Sequence, residues 1–295
     1  MPEARPSRWV IRKRMLAAVS AFAIPLGFSG CSGEPVEAAT EAELRSVESV
    51  RARLDSEAGK IGMPLDEVVY SAEDRVLVKQ ANNILMEECL AKSKINLSKD
   101  FGVFKPHPED GRYGIWVERL ADENGYNRTG GEPVSPDSRA PYDNQEGFKE
   151  AYVACREDLR GSLVPMRAVG SLDAPDAIHR IDSRAYGSAM NTTAWVQAKK
   201  DWRDCLQERG VALSEDENSW VPEVPSDLDQ NIRTAKIDIE CKNRTGLMQR
   251  VADLEAKFQT IYMARDPNAI NKLRAEKAAD VSRAREIVSR AGNAR

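Results

Sequence analysis

Cys89, Cys155, Cys205 and Cys241 each stand inside a stretch of helical periodicity, and this restricts the fold more than any other feature of the chain. With no C-x-x-C pair among them, four thiols on four helical segments read as two disulfides that tie helices together. The only histidines, His107 and His179, are isolated, so neither a metal site nor a haem attachment has its usual spacing. Four cysteines allow three connectivities, and an internal echo favours one. Met86-Glu87-Glu88-Cys89-Leu90, with Ile95 and Leu97 following, matches Trp202-Arg203-Asp204-Cys205-Leu206, with Val211 and Leu213 following. More loosely, Cys155-Arg156 with Gly161 and Leu163 matches Cys241-Lys242 with Gly246-Leu247. Two units of helix, loop and helix give Cys89–Cys155 and Cys205–Cys241. The expected fold is all-α: a disulfide-pinned helical body with a long C-terminal helical hairpin and loop-rich insertions.

Along the chain, Leu44, Val47, Val50, Leu54, Ala58 and Ile61 form one stripe and predict an amphipathic helix from about Thr40 to Ile61, packed on the body or forming a short seam to a partner. Ser71 followed by Asp74 marks an N-cap, and Val76, Ala81, Ile84, Leu85, Cys89 and Leu90 give the next helix its buried face up to about Lys92. Residues 96–147 are rich in proline and glycine, with one helix near Ile115–Glu123. Phe101, Phe104, Tyr113, Trp116, Tyr126 and Tyr142 gather there as a candidate binding surface; the alternative is that their rings staple the loops onto the helices. A helix over 148–163 leads into a connection that holds His179 and reaches about Asn191. The helix over 191–207 ends at Gly210. Ile237, Cys241, Met248, Val251, Leu254, Phe258 and Ile261 share one face of the longest helical pattern, and Asp266-Pro267 starts a second helix that returns as an antiparallel hairpin. Residues 41–163 and 164–295 are the expected helical halves.

Ahead of this body, Arg5, Arg8, Arg12, Lys13 and Arg14 precede an apolar run of about fourteen residues, short of the roughly 20 that span a bilayer. Residues 1–30 therefore read as a cleaved export signal. Phe28-Ser29-Gly30-Cys31 resembles the lipobox of bacterial lipoprotein precursors. That resemblance implies acylation of Cys31, a tether over 31–40 and a location on the outer face of the cytoplasmic membrane. With Arg112-Tyr113-Gly114-Ile115, Gly125-Tyr126 and the Trp202, Cys205, Leu206 and Gly210 pattern, the layout resembles uncharacterised lipoproteins of high-GC Gram-positive bacteria. Such proteins commonly act as envelope binding proteins or as accessories of transporters.

After residue 30 the chain carries 38 bases against 46 acids, so its charge is unsuited to nucleic acid, whose phosphates need clustered Lys and Arg. No nucleophile, metal or phosphate-binding motif occurs, and no cofactor is implied. The function expected is non-catalytic binding of an envelope protein or wall polymer by a lipid-anchored, palmitate-bearing module. A wall-directed hydrolase using carboxylates and a structural spacer are the alternatives.

Overall fold

The computed structural model describes residues 38–97, 111–127, 145–167 and 175–293. Residues 1–37, which include Cys31, and Phe101, Phe104 and Tyr142 lie outside them. The described residues are helical apart from one small hairpin: α1 Glu41–Ser46, β1 Arg53–Asp55, β2 Lys60–Gly62, a 3-10 turn Pro64–Glu67, α2 Ala72–Lys92, α3 Glu118–Asn124, α4 Phe148–Asp158, α5 Asp176–Met190, α6 Thr193–Glu208, α7 Leu228–Thr245, α8 Leu247–Ala264 and α9 Pro267–Asn293. The fold is all-α with both expected disulfides, Cys89–Cys155 and Cys205–Cys241.

The helix expected over 40–61 is instead α1 followed by the hairpin, with Leu54 opposite Ile61. Backbone groups that a helix would pair internally are taken by α8: Asp253 accepts from the Ala52 N–H at 2.9 Å and Gln249 donates to the Ala52 carbonyl at 2.9 Å. Asp55 and the left-handed Gly59, at φ 64°, form the reversal between the strands. Of the expected stripe, Val47 and Ile61 are buried and Val50 and Leu54 half-buried, while Leu44 and Ala58 are exposed, so tertiary hydrogen bonds and not a helical period decided this backbone.

The Ser71 cap is present as a full capping box with Asp74. Val76, assigned to the buried face of α2, is 37% exposed, and Val78 is buried in its place. Both α2 and α6 end in the same way: Ile95 N–H bonds the Leu90 carbonyl and Val211 N–H bonds the Leu206 carbonyl, which closes a Schellman motif on each. The internal echo is therefore structural at these two helix ends. Gly210 at φ 71° takes the left-handed position in one, and Lys94 at φ 61° takes it in the other.

Beyond that, the two cysteine units differ. Trp202–Asp238, Cys205–Cys241 and Glu208–Arg244 pair at a constant separation of 36, so α6 and α7 run side by side in the same direction. Chain 209–227 carries the backbone back to the start of α7. Near the other disulfide, Asn82 pairs with both backbone groups of Val164 at 2.8 Å while Cys89 pairs with Cys155, so the chain after α4 runs against α2.

The expected connection over 164–191 contains α5, which lies along α8 and buries Ile178, Ile181, Ala185 and Ala189 in the main core. His179 is on this helix. Pro175 and Asp176, read as loop residues, start the helix: proline is tolerated at a helix entrance, and the aspartate favours the first turn. The long pattern through Ile237 and Ile261 is broken by Gly246 at φ 62° into α7 and α8. Trp195, Ala198 and Trp202 face inwards from α6, as expected. α8 and α9 are consecutive, yet α9 packs far more against α2 than against α8. Ile270 and Leu273 join the main core, whereas Val281, Ala284 and Ile287 meet Tyr70, Val78 and Ala81 in a second one.

Candidate functional site

Polar residues fall on the buried faces of α7 and α8, four positions apart on each helix, and the segment 111–127 is fastened across them. On α8, Glu255 and Gln259 are both buried, with Gln259 Nε2 donating to Glu255 at 3.1 Å and its Oε1 accepting from Leu65 N–H at 3.0 Å. Arg112 Nε donates to Glu255 at 2.9 Å, and its Nη2 bonds both Glu255 and Asp182, the latter at 2.8 Å from α5. The Tyr113 hydroxyl also donates to Glu255. One carboxylate thus joins α8, α5 and the 111–113 turn.

On α7, Asp238 and Lys242 are fully buried and 3.0 Å apart. Lys242 Nζ also donates to the Ile115 carbonyl at 2.7 Å and the Trp220 carbonyl at 3.2 Å, which uses its three protons. Asp238 accepts from Trp202 Nε1 at 2.7 Å and from the Tyr126 hydroxyl at 2.9 Å. Two turns before Asp238 on the same face, Asn231 accepts from Tyr126 N–H at 2.7 Å.

Two glycines allow this fit. A side chain at Gly114, φ 79°, would put its Cβ 2.4 Å from the Trp220 carbonyl oxygen and 2.9 Å from Lys242 Nζ. At Gly125, φ 57°, it would lie 2.2 Å from Asn231 Oδ1. Both positions need the left-handed conformation and the absence of a Cβ.

Burial dominates the proton affinities. It raises the carboxyl of Glu255, which the charge and hydrogen bonds of Arg112 and the Tyr113 hydroxyl pull back, and it raises that of Asp238 against Lys242, Trp202 and Tyr126. It raises both phenols as well, with the facing carboxylates adding to the effect. Burial lowers Arg112, but the charge and hydrogen bonds of Glu255 together with the charge of Asp182 outweigh it and the guanidinium ends above its ordinary value.

Rings surround the cluster. Tyr113 meets Trp195 and Trp220 edge-on at 5.9 and 5.2 Å, Trp220 Nε1 donates to the Tyr186 hydroxyl at 3.0 Å, and Lys199 Nζ sits 4.6 Å over the Trp220 ring. Of the aromatic residues proposed as a binding surface, Tyr113 is fully buried, Trp116 is buried and Tyr126 is half-buried with its hydroxyl turned inwards. The structure corrects that surface for these three: their rings are core, the second of the two readings. The physical reason is their neighbours, since Glu255 and Asp238 draw both phenols in.

Arg112, Asp182, Asp238, Lys242, Glu255 and Trp220 are the members sequence reading missed. A signal existed on α7, where Asn231, Ala235, Asp238 and Lys242 recur at four, three and four residues, a helical face with polar members. Asp238 and Glu255 are shielded from solvent and occupied by donors, which fasten segment 111–127 to α7 and α8. Among the described residues, no group of three or more His, Cys, Asp or Glu is placed to hold a metal ion, and no helix is long and apolar enough to cross a membrane. Comparison with protein-family models, curated proteins and solved structures finds no match.

Proposed function

We propose that this protein is a cell-envelope lipoprotein, acylated at Cys31 with palmitate among its acyl chains, whose helical body acts as a non-catalytic binding or interaction module on the outer face of the cytoplasmic membrane. The observation that carries this reading is the pair of disulfides, Cys89–Cys155 and Cys205–Cys241, buried and spaced as stable bridges. Such bridges persist in oxidising compartments, which agrees with the export signal ahead of them. They use all four body cysteines and leave Cys31, the lipobox residue, for the anchor. The polar core supports a non-catalytic role, because its carboxylates are committed to holding segment 111–127.

The partner is an envelope protein or a wall polymer, with an accessory role to a transporter or wall complex. Cross-linking in intact cells, with the native protein and Cys31→Ser side by side, tests this. A defined membrane or wall partner recovered with the native form and lost with Cys31→Ser is the expected result. Labelling with an alkyne palmitate that leaves the native protein unmodified would overturn the anchor.

A further inference from the structure

Two adjacent lysines on α6 stand in different surroundings. Lys200 is exposed and forms an ion pair with Asp204. Lys199 is half-buried, and its Nζ stands 4.6 Å over the Trp220 ring. Among the described residues it takes part in no ion pair. Arg203, a like charge, follows it one turn along the same helix face. Trp220 is held from behind: its ring meets Tyr113 and Trp195 edge-on at 5.2 and 5.4 Å, and its Nε1 donates to the Tyr186 hydroxyl. The indole is therefore a fixed wall beside the amine, and being half-buried it also reaches solvent.

We propose that Lys199 and Trp220 form a site that captures aromatic aldehydes as a reversible Schiff base, with the aryl group laid against the indole. The site is independent of the lipid anchor. A lysine taken partly out of water beside another cation is a nucleophile near neutral pH. Burial, then Arg203, favours the neutral amine while Asp216 and Glu217 oppose them, which leaves Lys199 at about 8. Lys200 is the contrast, since its bond to Asp204 holds it in the ammonium form.

The chemistry needs no oxidant or reductant. The Nζ lone pair forms a bond to the carbonyl carbon, and a proton passes from nitrogen to oxygen through solvent to give a carbinolamine. The C–O bond then breaks, water leaves and C=N remains. Protonation of that imine from solvent restores a cation where the ammonium stood, so the contact with the indole face is kept. An aryl aldehyde suits the wall better than an aliphatic one, because its ring is conjugated with C=N and presents one flat surface to Trp220.

The test treats the full-length protein at neutral pH with benzaldehyde or with formaldehyde, each with cyanoborohydride to trap the imine, and maps the adducts by peptide mass spectrometry. Formaldehyde is expected to modify Lys199 about tenfold faster than Lys200. Benzaldehyde should widen that ratio, and without reductant its imine absorbance should disappear on dialysis. Lys199→Arg should abolish the fast benzaldehyde uptake and leave Lys200 at its own rate. Equal rates at the two lysines overturn the proposal. A benzaldehyde ratio no greater than that for formaldehyde also overturns it, since Lys199 is then a reactive amine with no place for an aryl group. Fast uptake that persists in Lys199→Arg puts the nucleophile elsewhere and overturns it too.

Discussion

Trp202 and Asp238 are joined at 2.7 Å one helical turn from the Cys205–Cys241 bridge, and both pairs span the same 36 positions. The covalent bond and the hydrogen bond thus fix one register between parallel helices. Asp238 in turn holds Lys242 and Tyr126, so this register is what lets α7 receive segment 111–127.

Removal of either charge strands the other. Asp238→Ala leaves the Lys242 ammonium buried without its counter-ion and costs about 3–5 kcal/mol. Asp238→Leu with Lys242→Met costs far less than the two single changes together, because neither charge is then desolvated alone. Urea unfolding of the two single variants and the double variant checks this; additive losses would show that the pair is not coupled.

Glycine positions separate into two kinds. Gly114→Ala forces a Cβ into the Trp220 carbonyl at a left-handed φ and is expected to lower stability by roughly 1–3 kcal/mol. Gly187→Ala, in the interior of α5 with nothing within 4 Å of the new Cβ, is expected to raise it by about 0.5–1 kcal/mol. Thermal melts of the two variants should move in opposite directions.

Lys94 occupies at the end of α2 the left-handed position that Gly210 fills at the end of α6. Lys94→Gly removes the Cβ conflict and is expected to stabilise by about 1 kcal/mol, whereas Gly210→Lys destabilises by a similar amount. A fall in melting temperature for Lys94→Gly would count against the shared end motif.

The acid and alkaline limits report on two surface groups. The Arg265 and Thr40 hydrogen bonds hold the Glu43 carboxyl down to about 2 from an ordinary 4.5. Its folded proton affinity is depressed, so its stabilisation is complete above 4.5 and fades as the pH falls towards 2. Burial, then the neighbouring Arg203, lowers Lys199 to about 8 from 10.5, so the unfolded chain binds the extra proton and stability rises between pH 8 and 10.5. Glu43→Gln should flatten the acid limb and Lys199→Gln the alkaline one in melts taken across pH.

Each disulfide closes a long loop, 66 positions for Cys89–Cys155 and 36 for Cys205–Cys241, and each is worth about 4 kcal/mol in the chain-entropy account. Cys205→Ala with Cys241→Ala should also loosen the Trp202–Asp238 register. Indole fluorescence of Trp202 is expected to change in that variant and to stay unchanged in Cys89→Ala with Cys155→Ala.

Sequence alone determined the helical class, the Ser71 capping box, the inward face of α6 and the pairing of the cysteines, because periodicity, caps and the echo around Cys89 and Cys205 are local. Tertiary structure decided the rest. Residues 53–62 form a hairpin where Gln249 and Asp253 take the Ala52 backbone, α5 formed against α8 where turn residues suggested a loop, and α9 found its main partner in α2. The cluster around Glu255 and Asp238 was legible only as polar residues on an apolar face, since their partners Arg112 and Tyr126 lie more than a hundred positions away. A buried charge must meet its partner to be tolerated, and which distant residue supplies that partner is settled by how the helices pack.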